Sequence, residues 1–137
     1  MYKKILVPVE PSHSEKHALA ISMARQLSDE AGAEIIVLTV IEPVPGYFAM
    51  AENMPDIQLQ AANRIMQDLK AFVGDRPDVT LKVLHGHAAT EILALAEKSG
   101  VDCIVIASHQ PGLADYFLGS TAARVVRHAP CSVHVMR

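Results

Sequence analysis

The chain has 137 residues and a formal charge of −3, with half of its residues hydrophobic and a fifth charged, the composition of a globular domain and not of a disordered segment. No basic run appears, which argues against nucleic acid and anionic membranes as partners. Pro8 and Glu10 cut the first apolar run too short for a secretory leader, and no stretch approaches the roughly 18 apolar residues of a membrane span, so the expectation is one cytoplasmic domain, 1–137, with no membrane insertion.

Apolar runs and helical patterns alternate along the chain. Lys3–Val9 is a short Val/Ile/Leu-rich run closed by Glu10-Pro11 and reads as a buried strand. Ser14–Ala31 follows as a helix through Ala20, Met23, Ala24 and Leu27, ending before Gly32. Its His13 and His17 stand four apart and read as a solvated face. Ala33–Ile41 is a second apolar strand. Glu42–Ile57, with Tyr47, Phe48, Met50 and Met54, is long for a connection in a compact domain and reads as a packing loop or a lid.

Ala62, Ile65, Met66 and Leu69 then mark a second helix with one buried face, and Val79–His85 alternates Val79, Leu81 and Val83 against Thr80 and Lys82. A third helix carries Ala89, Ile92, Leu93 and Ala96, and Asp102–Ser108 is a continuous apolar strand. The last helix carries Ala122, Val125, Val126 and Ala129. Ser132–Met136 closes the chain by alternating Val133 and Val135 against Ser132 and His134. Cys103 and Cys131, with no C-x-x-C spacing, read as reduced thiols buried in or beside strands.

Strands joined by helices give an α/β fold with a parallel sheet and right-handed crossovers. Continuous apolar strands belong in the centre of such a sheet and alternating ones at its edges. The expected architecture is therefore a Rossmann-like, open, five-stranded parallel sheet of order 3-2-1-4-5 with helices on both faces. Strand order reverses between the first and fourth strands, and ligands of such sheets bind there, beyond the strands' carboxyl ends.

Candidate binding residues gather at that point. Gly119-Ser120-Thr121 opens the last helix, where Gly permits close approach and the N–H groups and hydroxyls suit a phosphate. The same residues also suit an ordinary turn and N-cap. Glu10 is placed to meet a ribose hydroxyl or a cation, or is a solvated strand-end carboxylate. Val40 offers its backbone to an adenine edge or continues the sheet, and His109 faces a phosphate or caps a turn. His85-Gly86-His87 has no third ligand near it in sequence, so no zinc site is expected. Walker, G-x-G-x-x-G, G-x-S-x-G and H-E-x-x-H signatures are absent, and no catalytic residue is singled out.

The segments "KKILVPVEPS", "IIVLTVI", "HGHAATEILALAEKSGVDCIVIASH" and "LGSTAARVVRHAPCSVHVMR" together resemble the universal stress protein family (UspA-like) over essentially the whole chain. The closest likeness is to its short bacterial subgroup with an SHxP…LGS loop. Nucleotide-binding members carry G-x2-G-x9-G-[ST] after the fourth strand. Here Ala107 and Gln110 occupy the first two glycine positions, eight residues separate Gln110 from Gly119, and Gly119-Ser120 matches by identity. Glu10 and Pro11 stand where the family has Asp and Gly. The resemblance implies a dimeric stress regulator binding ATP or AMP, with Mg2+ as a companion ion and an unknown protein partner. The nucleotide would lie among Pro8, Val9, Glu10, Val40, Ala107, Ser108, His109, Gly112, Gly119, Ser120 and Thr121, and Val133 and Val135 would form the dimer interface. The alternatives are a dimeric interaction module that binds no nucleotide and, third, a slow ATP hydrolase.

Overall fold

The computed structural model describes residues 1–10, 14–28, 32–43, 55–108 and 119–137. The elements run β1 (Lys4–Pro8), α1 (Ser14–Leu27), β2 (Glu34–Ile41), α2 (Pro55–Val73), β3 (Val79–His85), α3 (Ala88–Ser99), β4 (Cys103–Ala107), α4 (Ser120–His128) and β5 (Ser132–Met136). The strands form one parallel sheet in the order β3-β2-β1-β4-β5, the expected α/β architecture.

The period-2 alternation of each strand sorts the core into two layers. Ile5, Val7, Ile35, Val37, Cys103 and Val105 point to one face, where Ala20 and Ala24 of α1 and Leu69 and Val73 of α2 cover them. Leu6, Ile36, Leu38, Ile104 and Ile106 point to the other, against Ala89, Ile92, Leu95 and Ala96 of α3 and Ala122 and Val125 of α4. Covered on both sides, β1, β2 and β4 carry the apolar runs that parallel sheets require. The edge strands are half-buried. Val79, Leu81 and Val83 pack on the first layer, and Val133 and Val135 on the second.

The end of the sheet remote from its carboxyl edge is fastened by Asp102. Its carboxylate accepts the Lys3 N–H at 2.9 Å and the Lys4 N–H at 3.0 Å, and its own N–H donates to the Lys4 carbonyl at 3.0 Å. The chain reaches this point through Gly100, whose φ of 65° lets the chain leave α3 in a left-handed turn. There the Val101 N–H returns to the Ala96 carbonyl at 3.0 Å, satisfying an otherwise orphaned helix-end acceptor.

Four expectations are corrected. Helix α1 stops at Leu27 and does not continue to Ala31. The Ser28 hydroxyl donates to the Arg25 carbonyl at 2.7 Å, and the Leu27 carbonyl accepts the Tyr2 N–H at 3.1 Å, so the last turn is drawn into pairing with the start of the chain. Val126, expected on the buried face of α4, is exposed, because Ala122, Val125 and Ala129 define the stripe toward the sheet. Pro55, Asp56 and Ile57, assigned to the long connection, form the first turn of α2; Tyr47, Phe48, Met50 and Met54 lie outside the described residues. His17, read as solvated, is 6 % exposed; it shares the α1 stripe of Ala20 and Ala24 by i, i+3, i+7 spacing. His13 lies outside the described residues. Among the described residues, no helix is long and apolar enough to cross a membrane.

Candidate functional site

Strands β1 and β2 pair along five positions, from Lys4–Glu34 to Pro8–Leu38. Strands β1 and β4 pair only at Ile5–Cys103 and Leu6–Ile104. Beyond Leu6 the sheet therefore opens between its two central strands, on the carboxyl side, where the strand order reverses. A cavity of about 570 Å³ occupies this opening, within the size range of small-molecule sites. Pro8 and Val9, Leu38 to Ile41, and Ile106 and Ala107 come from the strands. Gly119 to Ala122 of the α4 start, Ala88 and Ile92 of α3, His17 of α1 and Ile65 of α2 form the walls, with Glu10 and Glu42 beside them.

Backbone polarity gives the cavity its chemistry. The Leu38 carbonyl accepts the Val9 N–H at 2.8 Å, and the Glu34 N–H donates to the Lys3 carbonyl at 2.9 Å. Even-numbered residues of β2 thus turn their backbone groups toward β1. The Ile35 N–H donates to the Asp78 carbonyl and the Ile41 carbonyl accepts the Gly86 N–H, so odd-numbered residues serve β3. By this parity Val40 turns its N–H and carbonyl toward β1 at a point where β1 has already ended. The carbonyl of Val9, nearest to hand, accepts the Thr39 hydroxyl at 2.9 Å. Val40 lines the cavity and presents there one donor and one acceptor side by side. The ladder with β3 continues through the register Val40–Leu84, so on that edge Val40 continues the sheet.

Across the cavity stands the start of α4. Gly119 is its N-cap, with φ −58° and ψ 153° and no side-chain cap bond; Ser120 is the first helical residue, so the N-cap reading of Ser120 does not hold. Nor is the Gly119 N–H open to a ligand. It donates to the Ser108 hydroxyl at 3.1 Å, while the Ser108 N–H donates to the Met136 carbonyl at 2.7 Å and the Ala123 N–H closes the first helical turn on the Gly119 carbonyl at 2.8 Å. The N–H groups of Ser120, Thr121 and Ala122 remain without a partner among the described residues. They carry the positive end of the helix dipole at the cavity wall.

Pro8, Val9, Glu10, Val40, Ala107, Gly119, Ser120 and Thr121 therefore share one cavity. Ser108 stands behind it as the acceptor that fixes Gly119, and His109 and Gly112 lie outside the described residues. Sequence reasoning missed His17, Leu38, Ile41, Glu42, Ile65, Ala88, Ile92, Ile106 and Ala122. The helical stripe shared with Ala20 and Ala24 was the available signal for His17; the others are apolar or rim residues that only the crossing of elements brings together.

Outside the cavity, His85 and His87 are exposed, and no cluster of three His, Cys, Asp or Glu able to hold a metal occurs among the described residues. Both cysteines are free thiols. Burial, then the nearby Cys131 and Asp102, push the Cys103 thiol up to about 11; burial, with Asp102 adding, raises that of Cys131.

An open parallel sheet covered on both faces, with a cavity at the switch point and a helix start in its wall, is the frame of a doubly wound α/β protein. The chain belongs to the universal stress protein family, whose family model matches residues 1–137. It is 31% identical over 147 residues to a universal stress protein of Methanothermobacter thermautotrophicus, covering 100% of this chain and 97% of the relative. The solved structure of hypothetical protein MJ0577 superposes with a TM-score of 0.77 at 27% identity, covering 99% and 96% of the two chains. A universal stress protein solved in complex with cAMP shares the fold, with a TM-score of 0.62 at 22% identity and coverage of 99% and 97%.

Proposed function

We propose that the cavity binds an adenine nucleotide, ATP or AMP with Mg2+ as companion to the triphosphate, and that the protein is a cytoplasmic, homodimeric stress regulator whose occupancy a protein partner reads. The observation that carries this is the pairing of two backbone features across one cavity. On one side, Val40 offers an N–H beside a carbonyl, the complement of the adenine edge, which has a ring-nitrogen acceptor beside an amino donor. On the other, the three open N–H groups of Ser120, Thr121 and Ala122 suit a phosphate. The apolar side chains of Ile65, Ile92 and Ile106 supply the remaining contact for a base. That a protein of the same fold holds cAMP supports the choice of an adenine nucleotide.

Dimerisation rests on the free edge of β5, which ends the sheet, together with the 46% exposed Val126 of α4, since an open strand edge templates pairing with a second strand. The test of the nucleotide reading is calorimetric titration with ATP plus Mg2+, ADP and AMP, beside mass spectrometry of small molecules carried through purification. Saturable binding of an adenine nucleotide supports it, and no heat with any of the three at millimolar concentration overturns it.

A further inference from the structure

Helix α4 differs in charge from the three other helices. Each of those places a carboxylate in its first turn, Glu15 in α1, Asp56 in α2 and Glu91 in α3, where it meets the positive end of the helix dipole. The first turn of α4 holds no acidic residue. Its exposed side chains are Ser120, Arg124, Val126, Arg127 and His128. Arg127 and His128 lie in the last turn, where a cation suits the dipole. Arg124 has no such reason to be there. It stands one turn from the helix start, where the dipole disfavours a cation, and three positions from the like charge of Arg127, a spacing that repels. Among the described residues its guanidinium has no ion-pair partner.

Side chains of an α-helix lean toward its N-terminus, and residues four apart share a face with Cβ atoms about 5–6 Å apart. Arg124 therefore stands over Ser120, which lines the cavity with Thr121 and Ala122. Arg124 itself does not line the cavity and is exposed. A phosphate held by the three N–H groups of the helix start would lie inside; a further phosphate, leaving them toward solvent, would pass in front of Ser120 and within reach of the guanidinium. Arginine's planar fork bonds phosphate oxygens in pairs. Lys16 and Arg64 are also exposed near the cavity, but α1 and α2 cover the opposite face of the sheet from α4. We infer that Arg124 is a specificity-determining residue, which holds the outer phosphates of an adenosine di- or triphosphate and distinguishes these from the monophosphate. This rests on the adenine-nucleotide reading and assigns the residue that sets the preferred number of phosphates.

The experiment titrates adenosine, AMP, ADP and ATP in EDTA into the wild type, Arg124→Gln, Arg124→Lys and, as a control one turn farther from the helix start, Arg127→Gln. Arg124→Gln is expected to weaken ADP and ATP about fivefold to tenfold and to leave adenosine and AMP within about twofold of the wild type. Arg124→Lys keeps the charge without the fork and falls between, and Arg127→Gln behaves as the wild type. Added salt narrows the difference between wild type and Arg124→Gln for ATP, because the contact is exposed. Melting temperatures report that the variants keep the fold. Equal weakening of AMP and ATP by Arg124→Gln, no weakening of either, or wild-type binding of AMP without ADP or ATP overturns the assignment and leaves the adenine-nucleotide reading standing. No heat with any of the four compounds overturns that reading and this inference with it.

Discussion

The Ser108 hydroxyl accepts the Gly119 N–H at 3.1 Å, joining the end of β4 to the start of α4 across a connection of ten intervening residues. Ser108 is 8% exposed, and its own N–H is held by the Met136 carbonyl. One small residue thus locks β4, β5 and α4 together beside the cavity, and the direction in which the open N–H groups of α4 point depends on it. Ser108→Ala leaves a buried N–H without its acceptor, which costs about 1–3 kcal/mol. Urea unfolding should show that loss, and calorimetry should show weaker nucleotide binding, because the helix start is no longer fixed.

Ser120→Pro separates donor from scaffold. Proline is favoured at the first helical position, where the missing N–H has no intrahelical partner and φ is already suitable. The substitution removes the Ser120 N–H and hydroxyl together while α4 keeps its start. The expected outcome is a change in melting temperature of no more than a few degrees, with AMP affinity lowered about tenfold or more, since a hydrogen bond to a charged group contributes about 1.5–3 kcal/mol. Unchanged affinity in calorimetry would place the phosphate elsewhere.

The sheet was legible because each strand advertises its place. Leu6 and Ile104 sit in unbroken apolar runs and are central, whereas Thr80 and Ser132 interrupt their strands and mark edges. The position of the cavity followed from that order alone. What the sequence did not disclose was which backbone groups are free. Gly119-Ser120 looks the same whether the glycine N–H meets a ligand or a serine eleven residues earlier, because that bond exists only once β4 and α4 meet. His17 was misread for the opposite reason: its pairing with His13 drew attention away from its spacing to Ala20 and Ala24. The stop of α1 at Leu27 depended on Tyr2, a partner at the far end of a strand that no local pattern reveals.

Thr39 sets the other wall. Its hydroxyl donates to the Val9 carbonyl at 2.9 Å, taking up the acceptor that would otherwise stand opposite the Val40 N–H. Thr39→Val keeps the shape of a 5% exposed side chain and removes the hydrogen bond. Stability should fall by about 0.5–2 kcal/mol, measured by urea unfolding. With the Val9 carbonyl left open to compete for the Val40 N–H, adenosine binding should weaken as well, measured by calorimetry.

Assembly is best tested away from β5 itself. Val133 and Val135 pack against the layer beneath α3 and α4, so lysine at either position would disturb the protomer as well as an interface. Val126 is exposed on α4, which also packs on β5. If the proposed dimer forms, Val126→Glu should therefore shift it toward monomer in light scattering while leaving the far-ultraviolet spectrum intact. A monomeric wild type at micromolar concentration would rule out the dimer.

Cys103 predicts how the fold fails in alkali. The thiol is 1% exposed, and burial raises it from 9.0 to about 11, with Cys131 and Asp102 adding to the shift. Below the ordinary thiol range it is protonated in folded and unfolded chains alike and gives stability no pH dependence. Between 9.0 and about 11 the unfolded chain releases the proton while the folded chain retains it. The unfolded state then binds fewer protons, and stability falls as pH rises. Two pH units of separation correspond to about 2–3 kcal/mol lost by the upper end of the window. Urea midpoints measured across that range should decline more steeply for the wild type than for Cys103→Ala. The variant begins lower because it leaves a small cavity beside Val105 and Ile5, so the slopes and not the starting values carry the test. Parallel slopes would mean that the thiol ionises alike in both states and that β4 opens to solvent near this residue.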